Sequence, residues 1–228
     1  MSEAGGGTDS YIEPEIYRDE LSLTLEKLTQ LDGIDRIIEI GPSAGQGSTR
    51  AIFDGVRSRT SSYELHLVEI DNLRCQLLRK KFRKNRNIHI HHASSVLEHD
   101  FPAWGKVEDF YVNVQTNLNR KSIDIVRKWY DSEINRIILL PASKKDAIRK
   151  ILKSSTEKVF DLALIDGGEF TGLKEVQLLY GTRIFVLDDI NSFKCFDAYC
   201  LLKNSSDYEL YCENWNLRNG FAVFLKVN

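Results

Sequence analysis

Methionine occurs once, and proline and cysteine four times each, in 228 residues. Cys75, Cys195, Cys200 and Cys212 form no Cys-x-x-Cys pair and no Cys/His group at zinc-ligand spacing, which excludes a zinc ribbon or a thioredoxin-type redox motif. They read as reduced thiols filling small apolar sites. Long apolar runs are also missing. Ile137-Ile138-Leu139-Leu140 is far too short to cross a bilayer, and Met1–Gly7 carries neither the basic start nor the apolar stretch of a signal peptide. A cytoplasmic location without a membrane span is the expectation. Neither sign of charge prevails: 31 basic side chains face 33 acidic ones, net −2. That balance argues against a protein whose main task is to coat nucleic acid, although it leaves room for a local basic face.

What is present suits one sizeable globular domain, with 42% hydrophobic and 28% charged residues. Residues 1–10 read as a flexible leader, and residues 1–34 as that leader plus an N-terminal helix. The helix is expected from Pro14, with Ile16, Leu21, Leu25 and Leu28 at helical spacing and Asp32-Gly33 as its stop. Strands are expected at Arg36–Ile40, Tyr63–Glu69 and Ile88–His92, alternating with helices at Thr49–Val56 and Asn72–Lys84. Further strands are expected at Phe160–Ile165 and Arg183–Leu187. Such alternation builds a parallel sheet with helices on both faces. Between about residues 97 and 158 lies an insertion with two helical stretches, Ser122–Asn135 and Lys144–Ser154, separated by the apolar run before Pro141. At the C-terminus two β-rich runs, Tyr208–Glu213 and Phe221–Val227, flank Arg218-Asn219-Gly220, which reads as an antiparallel hairpin.

The sharpest motif is Glu39-Ile40-Gly41-Pro42-Ser43-Ala44-Gly45-Gln46-Gly47-Ser48. It falls where a strand hands over to a helix, at the sheet edge where α/β proteins bind ligands through backbone N–H groups. The glycines are spaced G-x-x-x-G-x-G, which is neither the dinucleotide fingerprint nor a phosphate loop, since no Gly-Lys-Ser/Thr follows. This pattern resembles the class I S-adenosylmethionine-dependent methyltransferases. The resemblance implies a Rossmann-like, seven-stranded, mostly parallel sheet of order 3-2-1-4-5-7-6 with an antiparallel C-terminal strand. It also implies a cofactor held by Glu39, Gly41, Pro42, Ser43, Ala44, Gly45, Gly47 and Ser48. Glu69, the acid closing the second strand, would grip the ribose. Ser94 and Ser95 would line the adenine, and Asp166 would border the cofactor.

Two more strands end in carboxylates: Asp166-Gly167-Gly168-Glu169 and Asp188-Asp189. On adjacent parallel strands under ~5 Å apart, such groups converge and need a cation or a shared proton. Hard oxygen ligands suit Mg²⁺ or another divalent ion, which would orient an acceptor hydroxyl and lower its pKa. The plain alternative is that one of Asp188 and Asp189 caps the next helix. The pattern resembles metal-dependent O-methyltransferases acting on sugars and macrolide glycosides, and more distantly the catechol type. That likeness implies Asp166, Asp188 and Asp189 as metal ligands. Those enzymes place a base two or three residues after the first Asp. Here position 168 is Gly, so Glu169 is the candidate base, with Lys194 in reserve.

Weaker signals remain. Arg74–Arg86 holds seven basic residues and no acid; it could touch a phosphate, but its apolar stripe reads as a surface helix with a solvated basic face. His89, His91 and His92 show no partner ligand and read as core or surface residues. Trp104, Phe110, Tyr111, Trp129 and Tyr130, with Asn113, Gln115, Asn117 and Asn119, could stack on and hydrogen-bond a sugar, or pack within the insertion. Arg218-Asn219-Gly220 reads as a plain turn, although similar glycan-modifying methyltransferases carry the same tripeptide. The expected acceptor is a carbohydrate or glycosylated small molecule, and a homodimer is compatible with the reading. Rival readings are an RNA or phenol methyltransferase, or a cofactor-binding module without catalysis.

Overall fold

Short apolar segments set the frame. β1 (Arg36–Ile40), β2 (Glu64–Glu69), β3 (Ile88–His92), β4 (Leu162–Ile165) and β5 (Ile184–Asp188) pair in parallel, and β6 (Tyr208–Asn214) and β7 (Phe221–Lys226) form a hairpin. The computed structural model describes residues 14–227, so the leader expected over residues 1–10 lies outside the described residues. All seven strands join one sheet, β3-β2-β1-β4-β5-β7-β6, and β7 runs antiparallel to both neighbours. This is the Rossmann-like order that the resemblance implies.

The central strands are buried on both faces, and their period of two divides the core. Ile37, Leu162, Leu164 and Val186 face one side, under α1 (Glu20–Gln30), α2 (Ser48–Val56) and α3 (Asn72–Phe82). Ile38, Ala163, Ile165 and Phe185 face the other, under α6 (Ala147–Ser154), α7 (Gly172–Leu178) and α8 (Phe193–Lys203). Because the first five strands are parallel, the glycine loop, Glu69, Ser94, Asp166 and Asp189 all lie at one edge of the sheet.

The N-terminal helix starts later than its leucine spacing suggests. Asp19 is extended and accepts a hydrogen bond from the Ser22 amide at 2.8 Å, so the cap fixes the start at Glu20. Residues 14–16 instead pass along the glycine loop. A methyl group on Gly47 would lie 2.8 Å from the Ile16 carbonyl oxygen.

Between β3 and β4 the chain adds α4 (Trp104–Asn113) and α5 (Ile123–Ile138) before α6. Helix α4 carries no helical periodicity legible in the sequence, because only Val107 and Phe110 are buried on it. Helix α5 continues through Ile137, which is buried, and ends only before Pro141. Phe101, Phe110, Val126 and Tyr130 form a second small core that takes in Phe170 beyond β4 and Phe193 of α8. Trp104, Phe110 and Tyr130 therefore pack inward, while Trp129 is exposed: Trp104 meets Tyr130 edge-on at 5.4 Å, and Phe110 meets Phe193 at 4.9 Å. Asn119 accepts from the Thr116 amide at 2.7 Å and Asn117 donates to Asn219 at 3.1 Å, so these amides serve the fold.

On β2 and β3, Glu64, His66, His89 and His91 cluster on one face. His66 Nδ1 lies 3.0 Å from His91 Nε2, and Glu64 lies 3.3 Å from His66 and 3.4 Å from His89. Burial, helped by the neighbouring imidazoles, pushes His91 down to about 4. The unfolded chain therefore takes up this proton first. The stabilisation is complete above about pH 6.5 and is lost as pH falls toward 4. We expect His91 to titrate near pH 4 by NMR, and wild type to lose about 2 kcal/mol more than His91→Gln between pH 6.5 and 5. Titration near pH 6.5 would contradict the buried neutral stack.

Candidate active site

The glycine loop begins where β1 ends, and the sheet forces its shape. Gly41 has φ +86°, and a methyl group there would collide with the Asp166 carbonyl, so β1 and β4 leave the sheet backbone to backbone. Ser43 also has positive φ, and Gly45 turns at +71° with its carbonyl held by the Lys81 ammonium. Two residues before the loop, Glu39 is buried and accepts from the Ser48 hydroxyl at 2.5 Å, while its other oxygen has no partner. Burial pushes the Glu39 carboxyl up to about 7.

Glu69 closes β2 and ties the loop to it. One oxygen accepts from the Ser43 amide at 3.1 Å and the other from the Asp71 amide at 2.8 Å. A carboxylate has about four lone-pair sites, so capacity remains for two hydroxyls. Ser94 and Ser95 follow β3. Their hydroxyls are committed to the protein, Ser94 to the Val96 carbonyl at 2.7 Å and Ser95 to Glu175 at 2.5 Å.

Two adjoining clefts run along this edge. One of ≈ 250 Å³ is lined by Glu69, Ile70, Ser94, Ser95, Phe101 and Gly167, and is bordered by Glu133 and Arg136 of α5. The other, of ≈ 240 Å³, is lined by Glu15, the loop from Gly41 to Ser48, and Lys194. Gly41, Arg74 and Asp166 line both. Together they reach the size of small-molecule sites, roughly 300–1,000 Å³. The fit to S-adenosylmethionine is good in kind: a carboxylate for ribose hydroxyls, free lining beside Ser94, and a glycine loop open to close approach.

Arg74 belongs to the site although its sequence context is that of a surface helix. It was expected on a solvated basic face, yet it lines both clefts because it lies in the first turn of α3, three residues after its cap Asp71. Lys81 on the same helix is also engaged, at Gly45. A basic residue one turn beyond the acid closing β2 was the signal available.

Asp166, Asp188 and Asp189 do converge, with one oxygen from each lying within 4.8 Å of the others. The cation among them belongs to the protein. Lys194 Nζ lies 2.9 Å from Asp166 Oδ1 and 2.5 Å from Asp189 Oδ2, with only 11% of its side chain exposed. Arg218 lies 3.0 Å from Asp188 Oδ1 and also binds Asp19. Burial opposes the Lys194 charge, but Asp166, Asp189, Asp188 and Glu169 outweigh it and hold the ammonium well above its ordinary range. Burial likewise raises Asp166, and Asp188 and Asp189 add to the shift. Asp188 is pushed up to about 6 by burial and then by Asp189. Lys194 and Arg218 thus offset much of the charge of the three aspartates. Charges of +1 and +2 held about 4 Å apart repel by about 8 kcal/mol at an effective dielectric of 20. A divalent ion could therefore enter this cluster only by displacing Lys194 from Asp166 and Asp189.

Glu169 stands apart from the cleft linings. It accepts from the Ser192 hydroxyl, and its backbone amide donates to Glu133 at 3.1 Å. Burial pushes its carboxyl up to about 7. The Arg218-Asn219-Gly220 tripeptide is more than a turn. Arg218 reaches Asp188, the Asn219 carbonyl accepts from the Asn191 amide at 2.8 Å, and the Gly220 carbonyl accepts from the Ile190 amide at 3.1 Å.

No protein-family model matches the sequence, and no curated protein matches it. Solved structures do match in fold. An O-methyltransferase from Bacillus cereus in complex with SAH is 13% identical, over 90% of this chain and 80% of that one, with a TM-score of 0.56. The SAH-bound methyltransferase PaMTH1 of Podospora anserina is 12% identical, over 94% and 81%, with a TM-score of 0.52. A methyltransferase from Geobacter sulfurreducens is 9% identical, over 93% and 82%, with a TM-score of 0.53. With its strand order and these similarities, the chain has the Rossmann-like methyltransferase fold.

Proposed function

We propose that this protein is an S-adenosylmethionine-dependent O-methyltransferase. The observation that carries the reading is the pair of adjoining clefts sharing Gly41, Arg74 and Asp166, with a ribose-type acid at one end and a charged cluster at the other. The SAH named in two of the structural neighbours supports it. Among the described residues no helix is long and apolar enough to cross a membrane.

The cofactor supplies an electrophilic methyl group on a sulfonium. The chain's own residues then have three tasks. Glu69 and the loop amides hold the nucleoside side, and Arg74 offers a guanidinium to the cofactor's carboxylate. Lys194 and its aspartates fix the floor beside the loop. Asp166, which faces both clefts, takes the acceptor's hydroxyl proton as its oxygen attacks in line, a role for which its raised carboxyl is suited. Glu169 supports from behind through Ser192, at the start of α8.

The acceptor is a hydroxyl of a sugar or similar polyol. Glu15, Gln46, Asp166 and Lys194 on the second cleft are hydrogen-bonding groups suited to a polyol. Transfer of labelled methyl groups to a panel of mono- and oligosaccharides, phenols and RNA tests this. Label in carbohydrate alone is the expected result, and label only in phenol or RNA would replace the acceptor class.

Glu69→Ala should weaken SAH binding about 10- to 100-fold by calorimetry, since two hydrogen bonds to a charged acceptor are lost. Unchanged affinity would remove Glu69 from the site. Asp166→Asn should lower kcat about 100-fold. In wild type the rate should rise with pH as Asp166 ionises above the ordinary carboxylate range, and that limb should vanish in Asp166→Asn. A limb that persists in Asp166→Asn but vanishes in Glu169→Gln would move the base to Glu169.

A further inference from the structure

We infer that Lys194 is the resident cation of the carboxylate cluster, standing where related chemistry would use a divalent metal ion, and that it holds the acceptor through a single oxygen. The second half of this inference rests on the methyltransferase reading; the first does not. Three independent features fix the lysine. It is the second residue of α8, and a methyl group on Gly172 would collide with its carbonyl, so α7 and α8 meet backbone to backbone at this point. Asp189 adopts φ +61°, a conformation rare for a residue with a side chain, and from it places Oδ2 at 2.5 Å from Nζ. Arg218 holds Asp188 at 3.0 Å, so the third aspartate is partnered as well. A lysine this enclosed stays only if paired, and the carboxylates that pair it are the ones an ion would need.

The exchange has a chemical consequence. A divalent ion can chelate two neighbouring oxygens of an acceptor. An ammonium has three donors, and Asp166 and Asp189 engage two of them. Lys194 also lines the cleft beside the glycine loop. The remaining donor there suits one hydroxyl oxygen, so a vicinal diol is not required of the acceptor.

The test uses the chelator-treated full chain and counts free Mn²⁺ by electron paramagnetic resonance, with SAH affinity measured on the same samples. Wild type should bind no stoichiometric Mn²⁺ up to roughly millimolar concentration. Lys194→Met, or Lys194→Gln as the gentler change, should gain one Mn²⁺ site at least 100-fold tighter, lost again when Asp189→Asn is added. One equivalent of Mn²⁺ bound by wild type in the micromolar range, and lost in Asp188→Asn, would overturn the inference. So would folded Lys194 variants that gain no site. The wild-type titration decides the matter whether or not the variants fold. Failure to bind SAH would instead count against the methyltransferase reading and leave the cation result standing.

Discussion

A buried ammonium among three aspartates at the ends of β4 and β5 is the constraint around which this edge of the protein is arranged. Three carboxylates that close would repel one another and would resist burial. With Lys194 and Arg218 in place, the parallel strands can carry their acids to the same point. The rest of the edge follows from this. Asp166 faces both clefts with its charge answered by Lys194, and Asp189 takes up a left-handed backbone that carries its carboxylate to the same ammonium.

Four distant parts of the chain supply the support. Helix α8 brings Lys194, and the C-terminal hairpin brings Arg218. The residues before α1 bring Asp19, which binds Arg218 from its other side. The insertion brings Asn117, whose amide donates to the Asn191 carbonyl at 3.0 Å and whose side chain reaches Asn219. The insertion thus acts on the site through its contacts with the β5 edge, while its aromatic rings are spent on its own core. Residues 14–16 close the opposite flank along the glycine loop. A reacting group placed between these walls is held by elements that cannot shift independently.

Most of the fold was legible because its signals are local. Phe160–Ile165 and Arg183–Leu187 read as buried parallel strands, close to the observed Leu162–Ile165 and Ile184–Asp188, and the glycine spacing places the loop at the correct sheet edge. The convergence of Asp166, Asp188 and Asp189 was legible too, since adjacent parallel strands deliver their ends together. The answer to their charge was not. Lys194 reads from sequence as a reserve base rather than a partner for the aspartates, Arg218 as a residue in a turn, and Arg74 as one of seven basic residues between positions 74 and 86. Lys194 meets Asp166 across 28 positions and Arg218 meets Asp188 across 30, while Arg74 reaches the clefts through helix phase, none of which periodicity carries. Helix α4 was missed for a related reason, since only two of its residues are buried and the pattern had nothing to repeat.

The most direct test of the account is a crystal structure grown with SAH and millimolar Mn²⁺, with anomalous scattering collected at the manganese edge. The account predicts SAH across the two clefts, its ribose on Glu69, and Lys194 between Asp166 and Asp189 with no anomalous peak there. A manganese peak among the three aspartates, with Lys194 turned away, would contradict it.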